Sequence, residues 1–276
     1  MFSNTPPFFQ HLLDYVPFSE AVVALWSGKS ISVDGVHGGV CALAAVAIRQ
    51  SGNKPITLLT ATTEQAEQII DDLELFLPTA KNLLFPALEH QTFVPDAENI
   101  VFALADDLFG QRIRVLKQLS ENLCSQITIV VPILSLLQQV PPKEFLIERT
   151  QLLQVGKQID LIQLRQSLIE SGYHATPAID LPGEFSVRGS IFDLFAPDWK
   201  QPVRIEFFDD EIESIRCFDI VTQRSLEHVN QIDLTRLLPN EAVGASLLDY
   251  LPPTSPIILV EPREIELAAQ RFHDNN

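Results

Sequence analysis

The turn Gly35-Val36-His37-Gly38-Gly39-Val40-Cys41-Ala42 stands where a phosphate-binding loop would stand, with Ser30 to Asp34 reading as a strand before it and Val40 to Arg49 as an Ala-rich helix after it. In that arrangement backbone N–H groups and a helix N-terminus cradle phosphates. Triphosphate chemistry asks for more: a cation near the β- and γ-phosphates and a hydroxyl on Mg²⁺. Cys41 and Ala42 supply neither, and Lys29, the nearest lysine, precedes the strand and lies at its other end. The turn therefore reads as a strand-to-helix connection, with weak anion binding as the residual alternative.

Arg188, Arg204 and Phe208 form the second group with chemical potential. They lie in a run of short half-buried strands, Glu184 to Phe195 and Arg204 to Arg216, in which Phe185 and Val187, Ile191 and Asp193, and Ile205 and Phe207 recur at period two. Gly189 and Asp209-Asp210 punctuate the run as turns. An unpaired buried charge is costly, so each arginine faces solvent, pairs with a carboxylate or meets a partner. On one reading Asp193, Glu206, Asp209 or Glu211 neutralises the arginines and Phe208 fills the core. On the other, Ile205 and Phe207 face inward, and Arg204, Glu206 and Phe208 share the outer face, a composition expected of an interface anchor.

Other constellations point away from catalysis. The six histidines, His11, His37, His90, His174, His228 and His273, show no metal-ligand spacing. Cys41, Cys124 and Cys217 include no C-x-x-C pair and read as reduced, buried small hydrophobes. No G-x-S-x-G elbow occurs, and Asp209-Asp210-Glu211 with Glu213 reads as a solvated hairpin rather than a cation site. Among 276 residues, 46% are hydrophobic, enough for a sizeable core in one large or two ordinary domains. A formal charge of −17 argues against broad DNA binding, which depends on Lys and Arg neutralising phosphates. No apolar run reaches the roughly 18 residues of a membrane span, and Met1 to Pro7 lacks a basic signal-peptide region, so a cytoplasmic location is expected.

The elements that must position these groups fall into two patterns. Pro55 to Thr60 is a strand, followed by a helix from Thr63 to Phe76 capped by Thr62 or Thr63 and stopped by Pro78. Leu83 to Phe85 is a third short strand, and a helix runs from about Val101 to Leu119. Gln126 to Val131 is a β-branched buried strand, and Pro132 opens a short helix. This order implies a parallel sheet. Beyond Pro141-Pro142 the character changes: Phe145 to Leu153 reads as extended, Leu161 to Ser171 as an amphipathic helix closed by Gly172, and the strand meander follows. Ile257 to Glu261 is again a buried-strand pattern and Pro262 starts a helix, so the chain is expected to return to the first sheet. The boundaries expected are 1–142 for the first part of an α/β domain, 143–238 for an inserted α+β module and 239–276 for the return.

The meander also resembles the small second domain shared by the repair protein UvrB and the transcription-repair coupling factor Mfd. That pattern runs as phenylalanine, x, x, arginine-glycine, then aspartate, x, phenylalanine, then arginine, x, x, phenylalanine-phenylalanine, x, aspartate-glutamate-isoleucine; here it is carried by Phe185, Arg188-Gly189, Asp193, Phe195, Arg204, Phe207-Phe208 and Asp210-Glu211-Ile212. Phe218-Asp219 and Thr222-Gln223-Arg224-Ser225 continue it, and the glutamine-arginine-serine turn is more similar to Mfd. Val130 to Leu136, Val155-Gly156-Lys157 and Ser171-Gly172-Tyr173 extend the resemblance, from about Ser30 to Pro239.

The resemblance implies a P-loop-like parallel α/β domain interrupted by a module that docks on UvrA through Arg188, Arg204 and Phe208. It also implies a degenerate nucleotide loop at Gly35, Gly38, Gly39, Cys41 and Ala42, in which Cys41 holds the lysine position of the UvrB pattern and Ala42 the hydroxyl position. The chain is then expected to be a binding module without enzymatic activity, cofactor or metal, and with weak or no DNA binding of its own. The full-length family protein would be an ATP-dependent DNA translocase that meets RNA polymerase and DNA in transcription-coupled nucleotide excision repair. The competing expectation is a nucleotide-binding UvrB-type helicase fragment.

Overall fold

The computed structural model describes residues 12–52, 54–88, 104–121, 127–237 and 244–275. Cys124, His11, His90 and the boundary expected at Pro239 lie outside them. The chain divides into two compact units: Met1–Ala87, Gln118–Gln138 and Ser246–Asn276 form one, and Leu88–Lys117 with Gln139–Ala245 the other.

The first unit holds a four-stranded parallel sheet. Its strands are β1 (Ile56–Thr60), β2 (Lys81–Leu84), β3 (Ile127–Pro132) and the last strand of the chain, β12 (Ile257–Leu259), in the order β12-β1-β3-β2. The apolar runs of β1 and β3 are buried along their whole length, as a sheet covered on both faces requires. The helix Gly39–Gln50 buries Ala42, Ala45 and Ala47, whose small side chains add to a core of Ile48, Ile56, Leu58, Ile69 and Leu73. The helix Thr63–Phe76 starts where Thr62 Oγ1 accepts the Gln65 N–H at 3.1 Å, an N-cap that satisfies an otherwise orphaned donor.

Ser30 to Asp34, expected as a strand, forms none and is largely exposed. Both edges of β1 are taken, one by β12 and the other by β3. Strand β12 does return to this sheet, pairing Thr57 with Ile257 through Leu59 with Leu259. As an edge strand it leaves Ile257 and Leu259 half exposed, unlike the buried strand its sequence suggests.

The second unit contains β4 (Thr150–Gln154), β5 (His174–Ala175), β6 (Glu184–Arg188), β7 (Ile191–Phe195), β8 (Val203–Phe208), β9 (Glu211–Phe218), β10 (Ser225–Val229) and β11 (Gln231–Thr235). Six of them make the sheet β10-β9-β8-β7-β6-β5, antiparallel except for the β5–β6 pair, and β11 pairs with β4. Residues 145–153, expected to be extended, instead give the helix Lys143–Glu148 and then β4. Pro142 sits at its N-cap and Leu146 is its buried residue, so one apolar face suffices for a turn and a half of helix where the run of Phe, Leu and Ile had suggested a strand. Asp160 caps the helix Leu161–Glu170 by accepting the N–H groups of Ile162 and Gln163.

Most of the helix Asp107–Ser120 belongs to this second unit, although the sequence boundaries place it in the first domain. Gly110 explains the association. A Cβ built there would stand 2.0 Å from the Pro197 carbonyl oxygen, so only glycine lets the helix backbone approach this closely. About two turns later Lys117 Nζ donates to Asp198 Oδ2 at 2.7 Å.

Candidate functional site

Antiparallel pairing places Ser186, Asp193, Arg204, Arg216 and His228 opposite one another across β6 to β10. Directly opposed residues share a face, so they form one row. Arg188, Ile191, Glu206 and Ser214 form the next. Ile205 and Phe207 point to the other side and are buried, leaving Arg204, Glu206 and Phe208 on the outer face as the alternation predicts.

Asp193 is the centre of this face, its side chain only 2% exposed. Arg204 grips both of its oxygens, Nε donating to Oδ1 at 2.6 Å and Nη2 to Oδ2 at 2.8 Å. Arg188 Nη2 donates to Oδ2 at 2.6 Å. A buried carboxylate is tolerated when its charge is paired and its lone pairs are used, and two guanidiniums meet both conditions. Arg204 continues through Nη2 to Gln223 Oε1 at 3.2 Å, and its guanidinium carbon lies 4.6 Å from the centre of the Phe218 ring. The hydrogen bonds to Asp193 hold the Arg204 guanidinium above its ordinary range, against the opposing effect of burial.

Glu206 is engaged separately, with Arg216 and with the Ser214 hydroxyl, which donates at 2.9 Å. The face thus gathers the guanidiniums of Arg188, Arg204 and Arg216 against the carboxylates of Asp193 and Glu206, with Glu211 opposite Phe208 on the same side. Phe208 is 71% exposed beside it. An aromatic this exposed on a stiff sheet is unusual for a side chain whose role is core packing. Of the four carboxylates near the arginines in sequence, Asp193 is the one that takes both; Asp209 sits in the exposed hairpin turn, and Glu211 opens β9 opposite Phe208. Gln223 and Phe218 escape a local reading, because their contacts with Arg204 depend on where β9 and the following turn are brought.

The glycine-rich turn lies in the other unit. Gly38, at φ 56°, is the N-cap of the helix Gly39–Gln50. The Cys41 thiol donates to the Val36 carbonyl at 3.5 Å, and His37 Nδ1 lies 2.8 Å from Glu261 Oε1. A cavity of about 430 Å³ opens beside Gly38 and Cys41, lined also by Thr62, Gln65, Gln68 and the carboxylates of Glu64, Asp72, Glu261 and Glu264. Among the described residues no lysine or arginine lines it. Burial first, and then the charges of Glu261 and Asp72, push the Cys41 thiol up from its ordinary value. Among the described residues no cluster of His, Cys, Asp and Glu is arranged to hold a metal, and no helix is long and apolar enough to cross a membrane.

Residues 152–240 match the family described as the UvrB interaction domain. The chain is 33% identical over 218 residues to the transcription-repair-coupling factor of Bacillus subtilis (strain 168), covering 79% of this chain and 18% of that protein. It is 33% identical over 183 residues to that of Staphylococcus aureus (strain USA300), covering 66% and 15%, and 28% identical over 227 residues to that of Myxococcus xanthus, covering 79% and 18%. The chain therefore spans less than a fifth of the length of these relatives.

Proposed function

We propose, from a chain that carries a UvrB interaction domain over residues 152–240 and is homologous over most of its length to transcription-repair-coupling factors, that it is the module through which such a factor recruits UvrA in transcription-coupled nucleotide excision repair. The observation that carries this reading is the outer face of β6 to β9, where Arg188 and Phe208 stand exposed on a sheet pinned by Asp193. Guanidiniums and an aromatic on a rigid scaffold supply charge-assisted hydrogen bonds and apolar burial without reorganising the backbone. On this reading UvrA contacts Arg188, Arg204 and Phe208. Residues 143–238 are the UvrA-interaction segment, and 1–142 with 239–276 are the two parts of a UvrB-like α/β domain, apart from residues 88–117, which group with the second unit.

The loop of Gly35, Gly38, Gly39, Cys41 and Ala42 is a degenerate nucleotide site, and the chain itself is not an enzyme. The acidic lining of the adjoining cavity supports this, because it adds repulsion to the missing cation and hydroxyl. Translocation on DNA and contact with RNA polymerase belong to the remainder of the full-length protein, which works in the cytoplasm. Calorimetric titration of the chain with UvrA tests the recruitment reading: saturable binding that is lost on Arg188→Glu is expected. A folded chain that gives no binding, or an Arg188→Glu variant that binds normally, would overturn it. Titration with Mg-ATP should give no heat, and micromolar binding would restore the nucleotide-dependent alternative.

A further inference from the structure

We infer that Asp193 is a positioning residue of the docking face, which locks Arg204 beneath the surface and turns the unspent edge of Arg188 outward, beside Phe208, toward a carboxylate of the partner. The inference rests on the recruitment reading above and divides its three residues by role.

A guanidinium has five N–H donors in a rigid fork. Arg204 commits its Nε and Nη2 edge to Asp193 and Gln223, lays its face on Phe218, and is 16% exposed. Its bonding capacity is directed mostly inward. Arg188 gives one hydrogen bond to Asp193 and is 52% exposed, so most of its fork remains for a partner. Glu206 lies in the same row as Arg188, but Arg216 and the Ser214 hydroxyl occupy its carboxylate. The complement that fits the remaining donors is a carboxylate, presented by an acidic surface that also offers an apolar recess for Phe208.

Gln223 supports the same device from an exposed turn. Its backbone is left-handed, at φ 56°, its N–H donates to the Asp219 carbonyl at 2.8 Å, and its Nε2 donates to the Ile220 carbonyl at 2.9 Å. The amide is thereby fixed with Oε1 toward Arg204.

A double-mutant cycle on the full chain, read by UvrA calorimetry and by NMR of the arginine Nε–H groups, tests the assignment. Asp193→Asn should weaken UvrA binding roughly tenfold or more, and less than about twofold when Arg188 is already alanine. The protected Arg204 Nε–H resonance should disappear with it. Equal losses in both backgrounds would show Asp193 to be merely structural and overturn the inference. If Asp193→Asn does not fold, Gln223→Gly takes its place, since glycine suits the left-handed backbone. A loss of about threefold with Arg204 present and none with Arg204→Lys is then expected, and equal losses refute. Failure of the unmutated chain to bind UvrA would sink the recruitment reading itself. That outcome is recognisable because the Arg204 resonance would still respond to Asp193→Asn.

Discussion

Phe208→Ala separates an interface anchor from a core residue by two measurements on one variant. Phe208 is 71% exposed, so less than a third of its surface is withdrawn from water. Full burial of a Phe side chain is worth about 1.5–3 kcal/mol, and the covered fraction scales to under about 1 kcal/mol of folding stability. Truncating an anchor at the centre of an interface costs about 1–4 kcal/mol of binding, roughly 5- to 900-fold in Kd. Phe207 provides the contrast from the same strand: it is 3% exposed, and Phe207→Ala should cost about 3–5 kcal/mol of stability. Urea denaturation measures the first quantity and calorimetry with UvrA the second. The reasoning fails if Phe208→Ala binds UvrA with the unmutated Kd, or if it destabilises the chain as much as Phe207→Ala does.

Arg204→Ala should behave differently from Phe208→Ala, lowering stability by about 2–4 kcal/mol because it leaves the buried Asp193 carboxylate with Arg188 alone; an unchanged melting temperature would contradict this. Gly110→Ala should destabilise by more than about 2 kcal/mol, since its Cβ would meet the Pro197 carbonyl at 2.0 Å, and a stability within experimental error of the parent would show that the helix can shift. The Cys41 thiol is raised from its ordinary value of 9.0, so the folded chain holds that proton more tightly than the unfolded chain. This contribution to stability is present below the ordinary value and is lost as pH climbs through the raised one. Peptide-resolved iodoacetamide labelling at neutral pH should be slower at Cys41 than at free cysteine and faster in Glu261→Gln, and equal rates in the two proteins would remove Glu261 as a cause.

Period-two alternation along Arg204 to Phe208 determines by itself which side chains share a face, because successive residues of any extended strand point to opposite sides. The residue types of the glycine-rich turn likewise determine that it lacks a cation and a hydroxyl. The helix Thr63–Phe76 was legible for the same local reason, an N-cap threonine ahead of it and a proline beyond it. Tertiary structure decided the rest. Asp193 was one carboxylate among four near the arginines, and the β6–β7–β8 register selected it by placing it opposite Arg204. Phe218 and Gln223 reach Arg204 only through β9 and the turn beyond it. The acidic cavity is assembled from segments around residues 38–41, 61–72 and 260–264, so no local window contains its charge. Ser30 to Asp34 carries a plausible strand pattern and still forms none, while the distant β12 and β3 pair with the two edges of β1. Local preference sets what a segment can do, whereas strand pairing depends on which distant segments compete for the same hydrogen-bonding edge.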